Sequence, residues 1–152
     1  MPGKITPCLW MSDIVAAGEY YARIFNSPEA PRIARMPDGN PITVHVDILG
    51  TTFMLLGQSP DFTFNESVSF MIDCKDQAEV DYYWTHFVGD GGAESQCGWC
   101  KDRFGLSWQV VPQQIFATVH GPDPEGAQRA MQAMFKMRKL IVADLEAAYA
   151  GT

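Results

Sequence analysis

Positive charge is scarce in this sequence. Eleven lysines and arginines stand against eighteen aspartates and glutamates, a net charge of −7 over 152 residues. Basic residues scattered along an acidic chain do not build a phosphate-binding face, which excludes nucleic acid as a partner. Long apolar runs are absent too: none approaches the ~18 residues of a membrane span. The opening Met1-Pro2-Gly3-Lys4-Ile5 lacks the apolar core of a secretory signal, so the expected location is the cytoplasm, with no membrane partner. Histidine occurs three times, which restricts both metal ligation and acid–base chemistry near neutral pH. Hydrophobic residues at 47% and charged residues at 19% give the balance of a folded chain, which excludes disorder.

Cysteine is sparse and poorly arranged for chemistry. Cys97-Gly98-Trp99-Cys100 is formally a C-x-x-C, but a thioredoxin-type pair needs a helix N-terminus to lower a thiol pKa. Here the segment leads into Lys101-Asp102 and a turn at Gly105, which predicts a strand, and residues three apart on a strand face opposite sides. A zinc site would need a second such pair, whereas Cys8 and Cys74 stand alone. Buried strand cysteines in a reducing compartment are the expectation.

What is present is a doubled pattern. Asp102-Arg103-Phe104-Gly105-Leu106-Ser107-Trp108-Gln109-Val110-Val111-Pro112 predicts a tight turn followed by an alternating strand, with Leu106, Trp108 and Val110 on one face and Ser107, Gln109 and Val111 on the other. An earlier half-copy runs from Asp47 to Leu56, with Gly50 for Gly105, Phe53 for Trp108 and Met54 for Gln109. The helices repeat as well: Tyr20-Tyr21 then Phe25, and Tyr82-Tyr83 then Phe87. Strands are expected at 5–11, 33–36, 42–48 and 51–56, with a helix capped by Asp13 running to about Phe25. The order then restarts with a strand at 67–73 and a helix opened by the capping box Asp76-Gln77-Ala78-Glu79 and stopped at Gly89. Strands at 94–101 and 106–111 complete it.

The predicted organisation is therefore α+β: a first βαβββ module at 1–57, a connector at 58–66, a second βαβββ module at 67–112 and a helical extension at 113–152. In the extension a short helical turn over 114–119 precedes Asp123-Pro124, a strong cap. One long C-terminal helix is expected from there to about Tyr149, with Met131, Met134, Leu140, Ile141 and Leu145 forming a stripe suited to core or to a subunit interface.

Two such modules in tandem resemble the vicinal oxygen chelate superfamily, which includes glyoxalase I, dioxygenases and bleomycin-resistance proteins, and within it the PhnB-like group. The resemblance rests on Ile5 to Trp10, Glu66 to Gln77, Cys97-Gly98-Trp99, Lys101 to Pro112 and Ala133 to Met137. It implies cupped mixed sheets with helices outside, a ligand cavity inside each cup and a homodimer. Metal-dependent members carry His or Glu on the first and last strands of each module, positions that fall here on Thr6, Met54, Ser67 and Gln109. Hydroxyls, a thioether and a neutral amide do not offset the dehydration of a divalent cation, so no metal and no cofactor are expected.

Two functions from different classes follow. The first is a metal-independent binding protein for a neutral or weakly polar organic ligand held by Thr6, Trp10, His45, Met54, Ser67, Ser69, Trp99 and Gln109. The second is a metal-free enzyme of lyase or isomerase type, with His45 as acid or base and Asp73 or Asp102 orienting a partner. A third possibility is a dimeric interaction protein acting through the long helix. The methyltransferase label often given to the group finds no support: Met11-Ser12-Asp13-Ile14 is not the glycine-rich turn of a Rossmann-type cofactor site.

Overall fold

Alternation of apolar and polar residues decides which face of each strand is buried, and both modules obey it. In a computed structural model, which describes residues 3–58 and 62–152, the first unit (Met1–Thr63) contains β1 (Cys8–Trp10), α1 (Ile14–Ile24), β2 (Arg32–Arg35), β3 (Pro41–Ile48) and β4 (Thr51–Leu56). Its sheet runs β1-β4-β3-β2, with β1 parallel to β4 and the other pairs antiparallel. Val44, Val46, Phe53 and Leu55 point to one side and are buried with Ala17, Tyr20, Tyr21 and Ile24 of α1. The helix lies so close that a Cβ at Gly18 would sit 2.7 Å from Val44 Cγ1. Asp13 caps α1 by accepting from the Ala16 amide at 3.3 Å.

The second unit (Phe64–Thr152) repeats the plan with β5 (Ser69–Cys74), α2 (Gln77–Gly89), β6 (Ala93–Glu94), β7 (Trp99–Lys101) and β8 (Ser107–Pro112). The sheet order is β5-β8-β7-β6, again with its first strand parallel to its last. These are the tandem βαβββ modules expected of the α+β fold. Asp76 accepts from the Glu79 amide at 3.0 Å while the Glu79 carboxylate accepts from the Lys75 amide at 2.9 Å, a reciprocal cap at the start of α2. Phe87 of α2 stacks on Trp108 with centroids 5.0 Å apart and planes 10° off parallel, so Trp108 is core, as its strand face requires.

The β7–β8 hairpin is held by Asp102, which is 2% exposed. Its carboxylate accepts from the amides of Phe104 (2.9 Å) and Leu106 (3.1 Å) and from the Trp108 indole N–H (2.9 Å). Gly105, at φ 85°, supplies the left-handed residue that the turn needs. The first module has the lighter version: Asp47 accepts from the Gly50 amide at 2.9 Å, and Gly50 sits at φ 81°.

The structure departs from expectation in four places. β1 begins at Cys8, leaving Thr6 exposed ahead of it. β5 begins at Ser69, because the Asn65 side chain accepts from both the amide and the hydroxyl of Ser67 and folds that stretch into a turn. The strand expected over 94–101 is broken: Cys97 and Gly98 take φ of 55° and 83°, and their amides donate to Met137 O (2.9 Å) and Arg138 O (2.7 Å) in the extension. The single long C-terminal helix is two, α3 (Pro124–Met134) and α4 (Val142–Ala150), preceded by a 3-10 turn at Gln113–Phe116. Gln77 causes the break, donating to Leu140 O at 3.1 Å and accepting from the Val142 amide at 2.7 Å. α3 and α4 pack through Val119, Ala130 and Leu145, with Met134, Met137 and Tyr149 around them. Part of the connector, 59–61, lies outside the described residues.

Replacing Asp102 by alanine strands three N–H donors, two of them buried, so Asp102→Ala is expected to cost about 2–4 kcal/mol, and Asp47→Ala, with one exposed donor at stake, about 1 kcal/mol. Urea unfolding of the two variants checks this; equal losses would show that the two turns are held alike.

Candidate functional site

A cavity of about 390 Å³ lies in the second unit, within the ordinary range for small-molecule sites. Its floor follows from strand parity. Met71 and Asp73 of β5 and Gln109 and Val111 of β8 line it, with Trp99 of β7 and Cys97 from the broken strand. Pairing places Met71, Gln109 and Trp99 in one row across the sheet. Gln109 Nε2 donates to Ser69 Oγ at 2.9 Å, which fixes the amide. The roof is the extension: Ile115 and Phe116 of the 3-10 turn, His120, Met134 of α3 and Leu140 of the interhelix segment.

That segment is tied down at several points. Besides the Gln77 bonds, Lys139 donates to Asp81 at 2.6 Å and Arg138 to Glu94 at 3.2 Å. The Lys139 ammonium and the Gln77 amide hold the Asp81 carboxyl below the usual carboxylate range. Leu140 is fully buried, and a Cβ at Gly98 would meet Val110 O at 3.0 Å and Leu140 Cδ1 at 3.1 Å. Glycine at 98 is thus required twice, by the close approach and by its positive φ.

Of the expected site residues, Trp99 and Gln109 line this cavity, and Ser69 supports Gln109. Ser67 does not reach it; its hydroxyl is bound to Asn65 in the turn before β5. Thr6, Trp10, His45 and Met54 belong to the first unit. There Met54 pairs with Cys8 on one side and His45 on the other, the same row that Met71, Gln109 and Trp99 form in the second. By this register Ser69, two residues before Met71, is the counterpart of Thr6, two before Cys8; Ser67 is not. Trp10 donates its indole N–H to Gly57 O at 3.0 Å and meets Phe62 edge-on at 5.2 Å.

Sequence reasoning missed the roof. Val111 follows from Gln109 by parity, and Asp73 from Ser69 in the same way. Nothing in Phe135 to Ile141, which holds neither glycine nor proline, signals a helix break. His120 is brought to the cavity, whereas His86 Nδ1 faces Tyr82 O at 2.7 Å on α2.

The donors at the fold's metal positions do not suit a divalent cation. Met54 offers a thioether and Gln109 a neutral amide oxygen, and among the described residues no three His, Cys, Asp or Glu side chains converge to hold an ion. Thiol chemistry is restricted by burial. Desolvation, with Asp102 and Glu94 adding to it, pushes the Cys100 thiol up to about 12, and desolvation with Glu79 and Asp73 does the same for Cys74. Cys97 lines the cavity and Cys100 faces the core, so the two do not act as a pair.

Comparison with known proteins follows from this geometry. A family model described as 3-demethylubiquinone-9 3-methyltransferase matches residues 3–111. Among solved structures, the chain is similar to a putative 3-demethylubiquinone-9 3-methyltransferase, PhnB protein, from Bacillus cereus, at 24% identity and TM-score 0.64 over 72% of this chain and 99% of that one. It is similar to PA1353 from Pseudomonas aeruginosa at 17% identity and TM-score 0.59, over 73% of this chain and 98% of that one. FosX from Listeria monocytogenes, solved with Mn(II) and sulfate, matches at 17% identity and TM-score 0.53, over 72% of this chain and 91% of that one. No curated protein matches. The family model stops at residue 111, so the roof lies outside it.

Thiol labelling of the native protein with a disulfide reagent should modify Cys8 and Cys97 and leave Cys74 and Cys100 silent until the chain unfolds. Because both buried thiols titrate higher folded than unfolded, their contribution to stability is complete below about pH 9 and is lost as pH rises toward about 12. Rapid labelling of all four cysteines in the native state would contradict the burial.

Proposed function

The chain belongs to the family described as 3-demethylubiquinone-9 3-methyltransferase, and from that premise we propose that it is a PhnB-like, metal-independent small-molecule-binding protein of the vicinal oxygen chelate type, whose ligand occupies the cavity of the second unit. The observation that carries this is the cavity itself: about 390 Å³, partly covered by the extension and lined mainly by apolar and aromatic side chains with a few polar groups. That composition is what binding of a compact organic molecule needs: area from Trp99, Phe116 and the methionines, orientation from Gln109. No protein donor meets the Gln109 amide oxygen among the described residues, so a ligand N–H or O–H has an acceptor to find.

Metal independence rests on the donor set. A thioether at Met54 and an amide at Gln109 are poor ligands for Mn(II)-like or Zn(II)-like ions; the Mn(II) of the Listeria protein is a property of that protein. Methyl transfer of the Rossmann type has no support either, since the two described sheets are mixed and four-stranded and the turn from β1 to α1 lacks glycine. His45, the expected acid or base of an enzyme, pairs with Arg32 and Met54 in the first unit and is not among the residues lining the cavity.

We propose a homodimer as the assembly. Within the extension Ala130, Leu140 and Leu145 are buried in their own unit, while Met131 and Phe135 stay exposed. Among the described residues no helix is long and apolar enough to cross a membrane.

Thermal-shift screening of small aromatic compounds should yield ligands whose stabilisation disappears in Trp99→Ala and Gln109→Ala and survives in Trp10→Ala. At a hundredfold excess over Kd the stabilisation is about 2.7 kcal/mol. Elemental analysis of the same sample should show no stoichiometric transition metal, and light scattering should give twice the chain mass. A tightly held ion, or ligands indifferent to Trp99 and Gln109, would sink the proposal.

A further inference from the structure

We infer that the cavity selects an organic cation, an amine on a compact aromatic or aliphatic body, and that Asp73 is the residue that reads its charge. The inference rests on the binding function proposed above and sharpens it from a neutral ligand to a charged one.

Asp73 contributes a carboxylate to the lining, neither lysine nor arginine lines it, and its other titratable side chains are His120 and Cys97. Of the basic side chains close in sequence to the lining, Lys75 pairs with Glu79 at 3.4 Å, Lys101 with Glu66 at 2.7 Å, Arg138 with Glu94 at 3.2 Å and Lys139 with Asp81 at 2.6 Å. No basic side chain pairs with Asp73 among the described residues. A cation entering therefore meets an uncompensated negative charge, and an anion meets repulsion with no donor cluster to offset it.

The remaining walls suit the same ligand. Trp99 and Phe116 present aromatic rings, whose negative faces attract ammonium groups where water is partly excluded. Met71 and Met134 add polarisable thioethers that adapt to an apolar body. The chain's net charge of −7 raises the local concentration of cations before contact. Asp73 is exposed on β5 and makes no fold-forming bond to a basic group, so its carboxylate contributes to recognition and not to the core.

The test compares three probes of one shape: naphthylmethylamine, naphthylmethanol and naphthoate, titrated calorimetrically into the full chain. The wild type should bind the amine about tenfold more tightly than the alcohol and the carboxylate most weakly. Asp73→Asn should bring the amine to the affinity of the alcohol, and Trp99→Ala should weaken all of them. Equal affinity for amine and alcohol, or an amine preference that survives Asp73→Asn, overturns the inference and leaves the binding function standing. Failure of all three probes to bind, with an intact circular dichroism spectrum, overturns both.

Discussion

The Asp102 carboxylate governs the second module because it does three jobs from a site almost closed to water. An ionisable group so buried is costly to desolvate unless its oxygens are bonded. Here the amides of Phe104 and Leu106 and the indole of Trp108 all donate to it. Those bonds fix the turn, and the turn fixes the register that pairs Trp99 with Gln109 and Cys100 with Trp108. From that register the two faces of the sheet follow. Trp108 goes inward onto Phe87, and Gln109 and Trp99 go outward to the cavity. A slip of one residue would exchange core for site.

The first module has the same frame with a weaker lock and a different row. Asp47, Gly50 and Phe53 stand where Asp102, Gly105 and Trp108 stand, and the shared plan of sheet and helix confirms the duplication. The residues across the open face have diverged: Cys8, Met54 and His45 in one unit, Met71, Gln109 and Trp99 in the other. The extension belongs to the second unit, where it roofs the sheet face that carries Met71, Gln109 and Trp99.

Local rules made the modules legible. Strand parity separated Trp108 from Gln109, glycines marked the two turns at positive φ, and Asp13 and Asp76 marked helix starts, because each of these is decided within a few residues. The roof was illegible because its shape is decided at long range. Phe135 to Ile141 carries an unbroken helical pattern, and the Gln77 side chain with the Cys97 and Gly98 amides, all distant in sequence, holds it open. The same segment turns Cys97 and Gly98 out of the strand they would otherwise extend. Ser67 was misplaced for the opposite reason: a bond as local as Asn65 to Ser67 outcompeted the strand pattern.

A largely apolar cavity draws affinity from the surface that a ligand buries in it, which puts weight on what holds the roof. The exposed ion pairs contribute little: Arg138–Glu94, with side chains 65% and 38% exposed, is worth about 0–1 kcal/mol. Leu140, fully buried, contributes roughly 1.5–3 kcal/mol. The backbone bonds from Cys97 and Gly98 and the two made by the Gln77 amide add about 1 kcal/mol each. The apolar anchor and the amide clamp therefore outweigh the charges, and the roof should tolerate salt far better than loss of Gln77. Glutamate cannot substitute for it, since the clamp needs a donor for Leu140 O and an acceptor for the Val142 amide on one side chain, and an ionised carboxylate only accepts.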